Sequence, residues 1–276
     1  MSTFDVPPSH RPFYNDWWGT RRSAAHALWA FHSALARPTV PVPEDDTSAV
    51  DTFFDGERAR AEAGEPLHVV SESVCSEAYK ECEAHGLDRA LLGAQVEAAR
   101  TFVGPIRFAT AAKLNTFVRL WAVPHARLLG GLANIQLSVQ RRHLDELARG
   151  FFFLGRLMTL PRDAQANRVF IPEEELEWAD VSVEQLREGT QADGMQRLLW
   201  KQSIRIRDAI AQGGALMSAL SFRRSYVLKY YWMGALALLN ELERRNFDLW
   251  STPLSLSPFR RVQVYLQVLF GRTATG

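Results

Sequence analysis

Between residues 158 and 175 the chain carries residues whose types and spacing could do chemistry: Arg162, Asp163, Asn167 and Arg168, then Phe170-Ile171-Pro172 and the acidic run Glu173-Glu174-Glu175. Asp163 and Asn167 stand four apart, which a helix would place on one face. Together they offer oxygen donors, the kind a hard divalent cation requires, but a single carboxylate makes a weak Mg²⁺ site. Arg162 and Arg168 carry planar forks suited to a bidentate grip on phosphate. The same two side chains would equally cap the preceding helix or pair with Glu173–Glu175. A second pair of carboxylates, Asp51 and Asp55, shares the i,i+4 spacing and follows Asp45-Asp46. It reads equally as the solvated acidic start of a helix, since aspartate favours N-caps and first turns. His125 is a candidate base or anion donor, with a structural histidine as the plainer reading. Trp29, Phe117 and Trp121 offer ring faces that stabilise a cation or stack on a flat acceptor, or simply fill a core.

The elements that must position these residues are helical. Leu144, Leu147, Phe151, Leu154 and Met158 recur on one helix face, as do Tyr231, Ala235, Leu238, Leu239 and Leu242. Leu87, Leu91, Ala98 and Phe102 suggest a further face. No segment alternates convincingly with period two. The pattern predicts nine to twelve helices in one all-α domain over residues 1–276, with a core from about 12 to 270. Arg37-Pro38-Thr39-Val40-Pro41-Val42-Pro43 cannot be helical, and Gly64-Glu65-Pro66, Val103-Gly104-Pro105, Leu160-Pro161 and Ser251-Thr252-Pro253 are further break signals. Thr110 and Ser182 are expected N-caps.

Composition narrows the function classes. The net charge of +1 gives no global electrostatic case for nucleic acid. Cys75 and Cys82 make a poor disulfide framework and lack metal-ligand spacing, which fits a reducing, cytoplasmic setting. The N-terminus has no basic-then-apolar signal pattern, and no apolar run is long enough to span a bilayer. Peripheral membrane contact stays open. Arg119, Arg127, Arg141, Arg142 and Arg156 read as surface charge, or as the rim of a polar cavity.

Taken in order, several segments resemble the squalene/phytoene synthase family. Arg162-Asp163 and the ending Arg168…Pro172 are similar to its second active-site motif, N-x-x-R-D-x-x-x-D followed by R-x-Y/F-L-P. Ile171-Pro172-Glu173-Glu174-Glu175-Leu176 with Val181-Ser182 resembles LP-x-E-x-L…G-V-S. Leu239 to Leu249 resembles the L-x-x-I-E-x-x-x-Y-D-V helix end, and Leu254 to Arg261 the closing basic segment. Phe108 to Leu114 is similar to Y-x-T-x-x-E-L. Pro12-Phe13-Tyr14 and Ala27-Leu28-Trp29-Ala30-Phe31 resemble S-F-Y and A-L-Y-A-F.

The resemblance implies a single isoprenoid-synthase-like helical bundle with a central cavity. There, two aspartate-rich motifs hold Mg²⁺ ions against the diphosphate of a prenyl substrate. It places Asp163 as catalytic and metal-binding, Arg162 and Arg168 as diphosphate-binding, and Asp51 and Asp55 as replacement metal ligands. Val123-Pro124-His125 replaces a small-residue stretch of the family near the cavity, so His125 is read there as a candidate catalytic residue, with Phe117, Trp121 and Trp29 as cavity walls. The chain departs from the family at the first motif, where His32-Ser33-Ala34-Leu35-Ala36-Arg37 offers no carboxylate. It departs again at Asn167, and at Phe117, where the family has a tyrosine. Two functions compete. One is a transferase passing a prenyl group to a small, non-standard, aromatic acceptor. The other is a catalytically inactive relative serving as an assembly factor or partner subunit.

Overall fold

The computed structural model describes residues 20–189 and 193–270; Pro12-Phe13-Tyr14, Trp17 and Trp18 lie outside them. Among the described residues the fold is all-α. The helices are α1 (Thr20–Leu35), α2 (Thr47–Ala63), α3 (Glu72–Ala84), α4 (Ala90–Ala99), α5 (Ala111–Leu132) and α6 (Ser138–Met158). They continue as α7 (Leu160–Gln165), α8 (Glu173–Ala179), α9 (Val183–Glu188), α10 (Asp193–Gly213), α11 (Phe222–Arg244) and α12 (Pro258–Leu269), with short 3-10 turns at Arg100–Phe102 and Gly214–Ala219.

Local chemistry starts these helices where the sequence predicts. The Thr110 hydroxyl accepts from the Lys113 amide at 3.3 Å, and Ser182 forms a reciprocal capping box with Gln185. Asp46 caps α2 by accepting from the Ala49 amide at 3.0 Å, so one member of the acidic run Asp45-Asp46…Asp51 is a helix start. The proline-rich stretch after α1 is irregular, as expected. Two expectations are corrected. Leu160-Pro161 is not a loop: Pro161 sits in the first turn of α7, where a missing N–H costs nothing, and the break is the single residue Thr159. Leu87 and Phe102 do not share a helix with Leu91 and Ala98, because α4 ends at Ala99 and Phe102 falls on the 3-10 turn.

The core joins α1, α4, α5, α6, α10 and α11 through side chains such as Phe31, Leu92, Leu114, Leu128, Phe151, Ile210 and Leu238. Helices α6 and α10 pack most extensively, and glycine permits it. A Cβ on Gly213 would collide with the Leu147 side chain and lie 2.9 Å from the His143 carbonyl oxygen; one on Gly150 would lie 3.1 Å from the Ile210 amide nitrogen. After α7 the chain runs extended and is pinned to the segment before α5. Ile106 donates to the Asn167 carbonyl at 2.9 Å, Val169 to Ile106 at 3.0 Å, and Glu173 to Phe108 at 2.8 Å. This docking sets the direction of Arg168 and Phe170.

Candidate active-site cavity

A cavity of about 360 Å³ opens between α1, α5, α6 and the extended segment after α7. That volume falls in the range of small-molecule sites. Helix α1 contributes Trp29, His32 and Ser33, the first two on one face by their i,i+3 spacing, and Ala36 and Arg37 follow just past its end. Trp121 comes from α5, Phe102 from the 3-10 turn, and Phe152 and Arg156 from α6; the extended segment adds Arg168 and Phe170. The walls are thus ring faces, with three guanidinium groups among them.

The arginines are ordered by aromatic stacking and by one carboxylate. Arg156 lies over Phe170 at 5.0 Å and over Phe152 at 5.8 Å, and Arg168 over Phe102 at 5.1 Å. Arg156 donates to Asp163 Oδ2 at 3.2 Å, and the Thr159 hydroxyl donates to the same oxygen at 2.7 Å. Asp163 is 6% exposed and its backbone carbonyl receives the Arg168 amide at 2.8 Å. Burial lowers the pKa of both Arg156 and Arg168, and Arg162 opposes each charge further. The guanidiniums remain charged. One carboxylate therefore stands among several cations, and the field of the site is positive.

Two histidines stiffen the wall. His32 and His125 stack with ring centres 4.1 Å apart, and Trp121 lies 4.1 Å from His32 on centroids. Gln95 donates its amide to the Leu91 carbonyl at 3.1 Å, which leaves its oxygen facing His32 Nδ1 at 2.7 Å. The network thus assigns the proton of neutral His32 to Nδ1. Burial pushes His32 down to about 3 and His125 well below the usual histidine range.

The expected site residues are distributed unevenly. Trp29, Trp121 and Arg168 line the cavity; Asp163 lies beside it, bonded to Arg156. Phe117 is buried one layer behind, in ring contact with Phe102, Trp121, Phe152 and Phe170. His125 is buried behind His32 and is not among the lining residues, which is the structural reading of that residue. Arg162 is exposed and points its charge at the site only through space. Arg156 corrects the surface-charge reading: it is half-buried at the cavity and paired with Asp163, while Arg119, Arg127, Arg141 and Arg142 are exposed. Arg37, His32, Phe102, Phe152 and Arg156 are site residues that the motifs did not single out. Arg156, Thr159 and Asp163 fall at i, i+3 and i+7, a helical spacing that would have pointed to them.

The donors for the implied Mg²⁺ do not fit. Among the described residues no three His, Cys, Asp or Glu side chains come together as a metal site. Asp51 is exposed and paired with Arg100 at 3.4 Å, Asp55 is exposed on the same helix, and neither joins Asp163. Asn167 adopts a left-handed backbone, with φ of 58°, and its amide oxygen receives Arg187. It is therefore turned away from Asp163 by the end of α7 rather than sharing a helix face with it.

The squalene/phytoene synthase family model matches residues 19–266. No curated protein matches the chain significantly in sequence. Among solved structures, squalene synthase HpnC from Alicyclobacillus acidocaldarius is similar with a TM-score of 0.71 at 20% identity, covering 86% of this chain and 88% of that one. A dehydrosqualene synthase in complex with ligand has a TM-score of 0.71 at 13% identity, with 97% and 92% covered. YisP from Bacillus subtilis subsp. subtilis strain 168 has a TM-score of 0.52 at 13% identity, with 94% and 96% covered. At such identities the likeness speaks for the fold alone, and membership rests on the sequence match across most of the chain. With the helical fold consistent with it, that match over residues 19–266 shows that the chain belongs to the squalene/phytoene synthase family.

Proposed function

We propose that the chain binds a prenyl diphosphate through arginine rather than through a bound metal cluster. The diphosphate lies against Arg37, Arg156 and Arg168, and the isoprenoid chain lies along Trp29, Phe102, Trp121 and Phe152. The observation that carries this reading is three guanidiniums among the ring faces of one cavity whose own lining holds no carboxylate. Asp163 answers Arg156 and leaves an excess of positive charge at the site, and arginine forks match the phosphate oxygens of an anion that would balance it.

Transfer to a small aromatic acceptor is the reaction this site would support. The allylic C–O bond breaks and its electron pair leaves with the diphosphate, which the guanidiniums stabilise. The ring faces stabilise the allylic cation. An acceptor carbon attacks, and the proton it then sheds is acidic enough for a weak base. His32, neutral at the cavity wall, is the group placed near it. No step is assigned to Mg²⁺. One observation favours the second reading, an inactive relative acting as an assembly factor or partner subunit: the carboxylate of Asp163 is already engaged by Arg156 and Thr159.

Calorimetric titration with geranyl and farnesyl diphosphate, in EDTA and in Mg²⁺, tests the binding. The expected result is micromolar affinity that survives EDTA and weakens about tenfold or more in Arg168→Ala, since a charge-assisted contact of this kind contributes about 2 kcal/mol. Absence of binding in either buffer sinks the proposal. Release of diphosphate when phenolic or indole acceptors are added then supports transfer, and tight binding without release supports the inactive relative.

A further inference from the structure

Helix α12 is amphipathic the wrong way round. Val264 and Val268 face the body of the protein, where Val264 also lines the groove against α11. The opposite, solvent-facing arc carries Phe259, Val262, Leu266, Leu269 and Phe270, exposed by 78%, 56%, 45%, 48% and 76%. At 100° per residue these five fall within about one third of the helix circumference, with no polar residue between them. Tyr265 packs edge-on against Tyr226 and Tyr230, which holds α12 against α11. Phe222, one turn before Tyr226 at the start of α11, is 89% exposed. Exposed large apolar residues among the described ones are concentrated here, and a surface facing only water gains nothing from them.

The charge beside this face is mainly positive, the two carboxylates of α11, Glu241 and Glu243, being bonded to Arg244, Arg245 and Arg207. Helix α12 holds Arg260 and Arg261 and no acidic residue; α11 from Phe222 to Asn240 holds Arg223, Arg224 and Lys229 and no acidic residue. The whole chain is almost balanced at +1, so the imbalance is local. A second copy of the chain would bring these cations against one another, and three turns of helix make a short seam for a dimer. A surface with negative headgroups over an apolar interior meets both features. No helix among the described residues is long and apolar enough to cross a membrane, so the contact is one that lies on the bilayer.

We propose that the outer face of α12, with Phe222, is a docking surface for an anionic lipid bilayer. The phenyl and aliphatic side chains enter the interface, and the flanking cations lie at headgroup level. This stands independently of what the cavity binds. Flotation of the full chain with vesicles tests it, using phosphatidylcholine alone and with about one third phosphatidylglycerol. Expected is binding to the anionic vesicles, reduced by added salt, and lowered about tenfold or more in the double variant Phe259→Ser, Leu266→Ser. Both positions are solvent-exposed, so unchanged circular dichroism and melting will separate loss of docking from loss of fold; Arg260→Glu, a second exposed change, is expected to weaken binding to anionic vesicles. No binding to either vesicle overturns the proposal, as does binding indifferent to all these variants. It is equally overturned if light scattering shows a dimer of the chain that the double variant splits, since a second copy then covers the face.

Discussion

Asp163 is the residue at which the family motif and the geometry part. Its Oδ2 accepts from both Arg156 and Thr159, inside a protein wall where a guanidinium cannot readily find another counter-charge. Replacing it with asparagine keeps the shape and removes the charge. The expected cost is about 2 kcal/mol of stability, the size of a lost charged hydrogen bond at a partly screened site, read as a lower denaturant midpoint. Prenyl diphosphate affinity is expected to hold or rise in Asp163→Asn, because the site becomes more positive. A metal-ligand role predicts the opposite, a loss of affinity that appears only when Mg²⁺ is present. The fate of Asn167 shows why the motif could mislead. Four residues separate it from Asp163, but α7 ends after Gln165 and Asn167 turns left-handed. Spacing counts positions along the chain, and the helix that would align them stops two residues short.

Helices α6 and α10 set the frame for the cavity, because α6 carries Phe152 and Arg156 on one side and packs on α10 with another. That packing depends on having no side chain at Gly213. Gly213→Ala would push a methyl into Leu147 and toward the His143 carbonyl oxygen, so the helices must separate. The expected loss is about 1–3 kcal/mol in urea unfolding, the range for overpacking a close-packed interface. The helix faces, the capped starts at Thr110 and Ser182 and the proline-rich break after α1 were legible in the sequence, since each is decided by contacts a few residues away. The start of α7 at Pro161 was not, because proline signals a break and a first helical turn alike.

At the scale of the whole molecule, two neutral histidines in the core couple folding to pH. Burial pushes His32 down to about 3 and His125 well below its ordinary value, while both would titrate near 6.5 in the unfolded chain. Below that value the unfolded state binds more protons than the native one, so stability falls as pH falls, and above it these groups add no slope. Each histidine contributes a slope of about 1.4 kcal/mol per pH unit in that window. Melting temperature is therefore expected to drop from about pH 7 to pH 5, before carboxylates titrate. His125→Leu, similar in volume and without a titrating group, is expected to flatten the drop. An unchanged profile in that variant would place the acid sensitivity elsewhere.

The sequence alone determined the helical class, many of the element boundaries and the family resemblance, because periodicity, caps and ordered motifs are written in neighbouring residues. It also marked Arg168, Asp163, Trp29 and Trp121 as candidates. The tertiary structure decided what they do together. It turned Arg156 from surface charge into a cavity-lining partner of Asp163, brought Arg37 and His32 to the same cavity from the first described helix and its end, and kept Asp51 and Asp55 at the exposed face of α2. Those outcomes depend on which helix faces meet across more than a hundred residues of chain. Charge balance in a cavity is set by that meeting, and no local pattern encodes it.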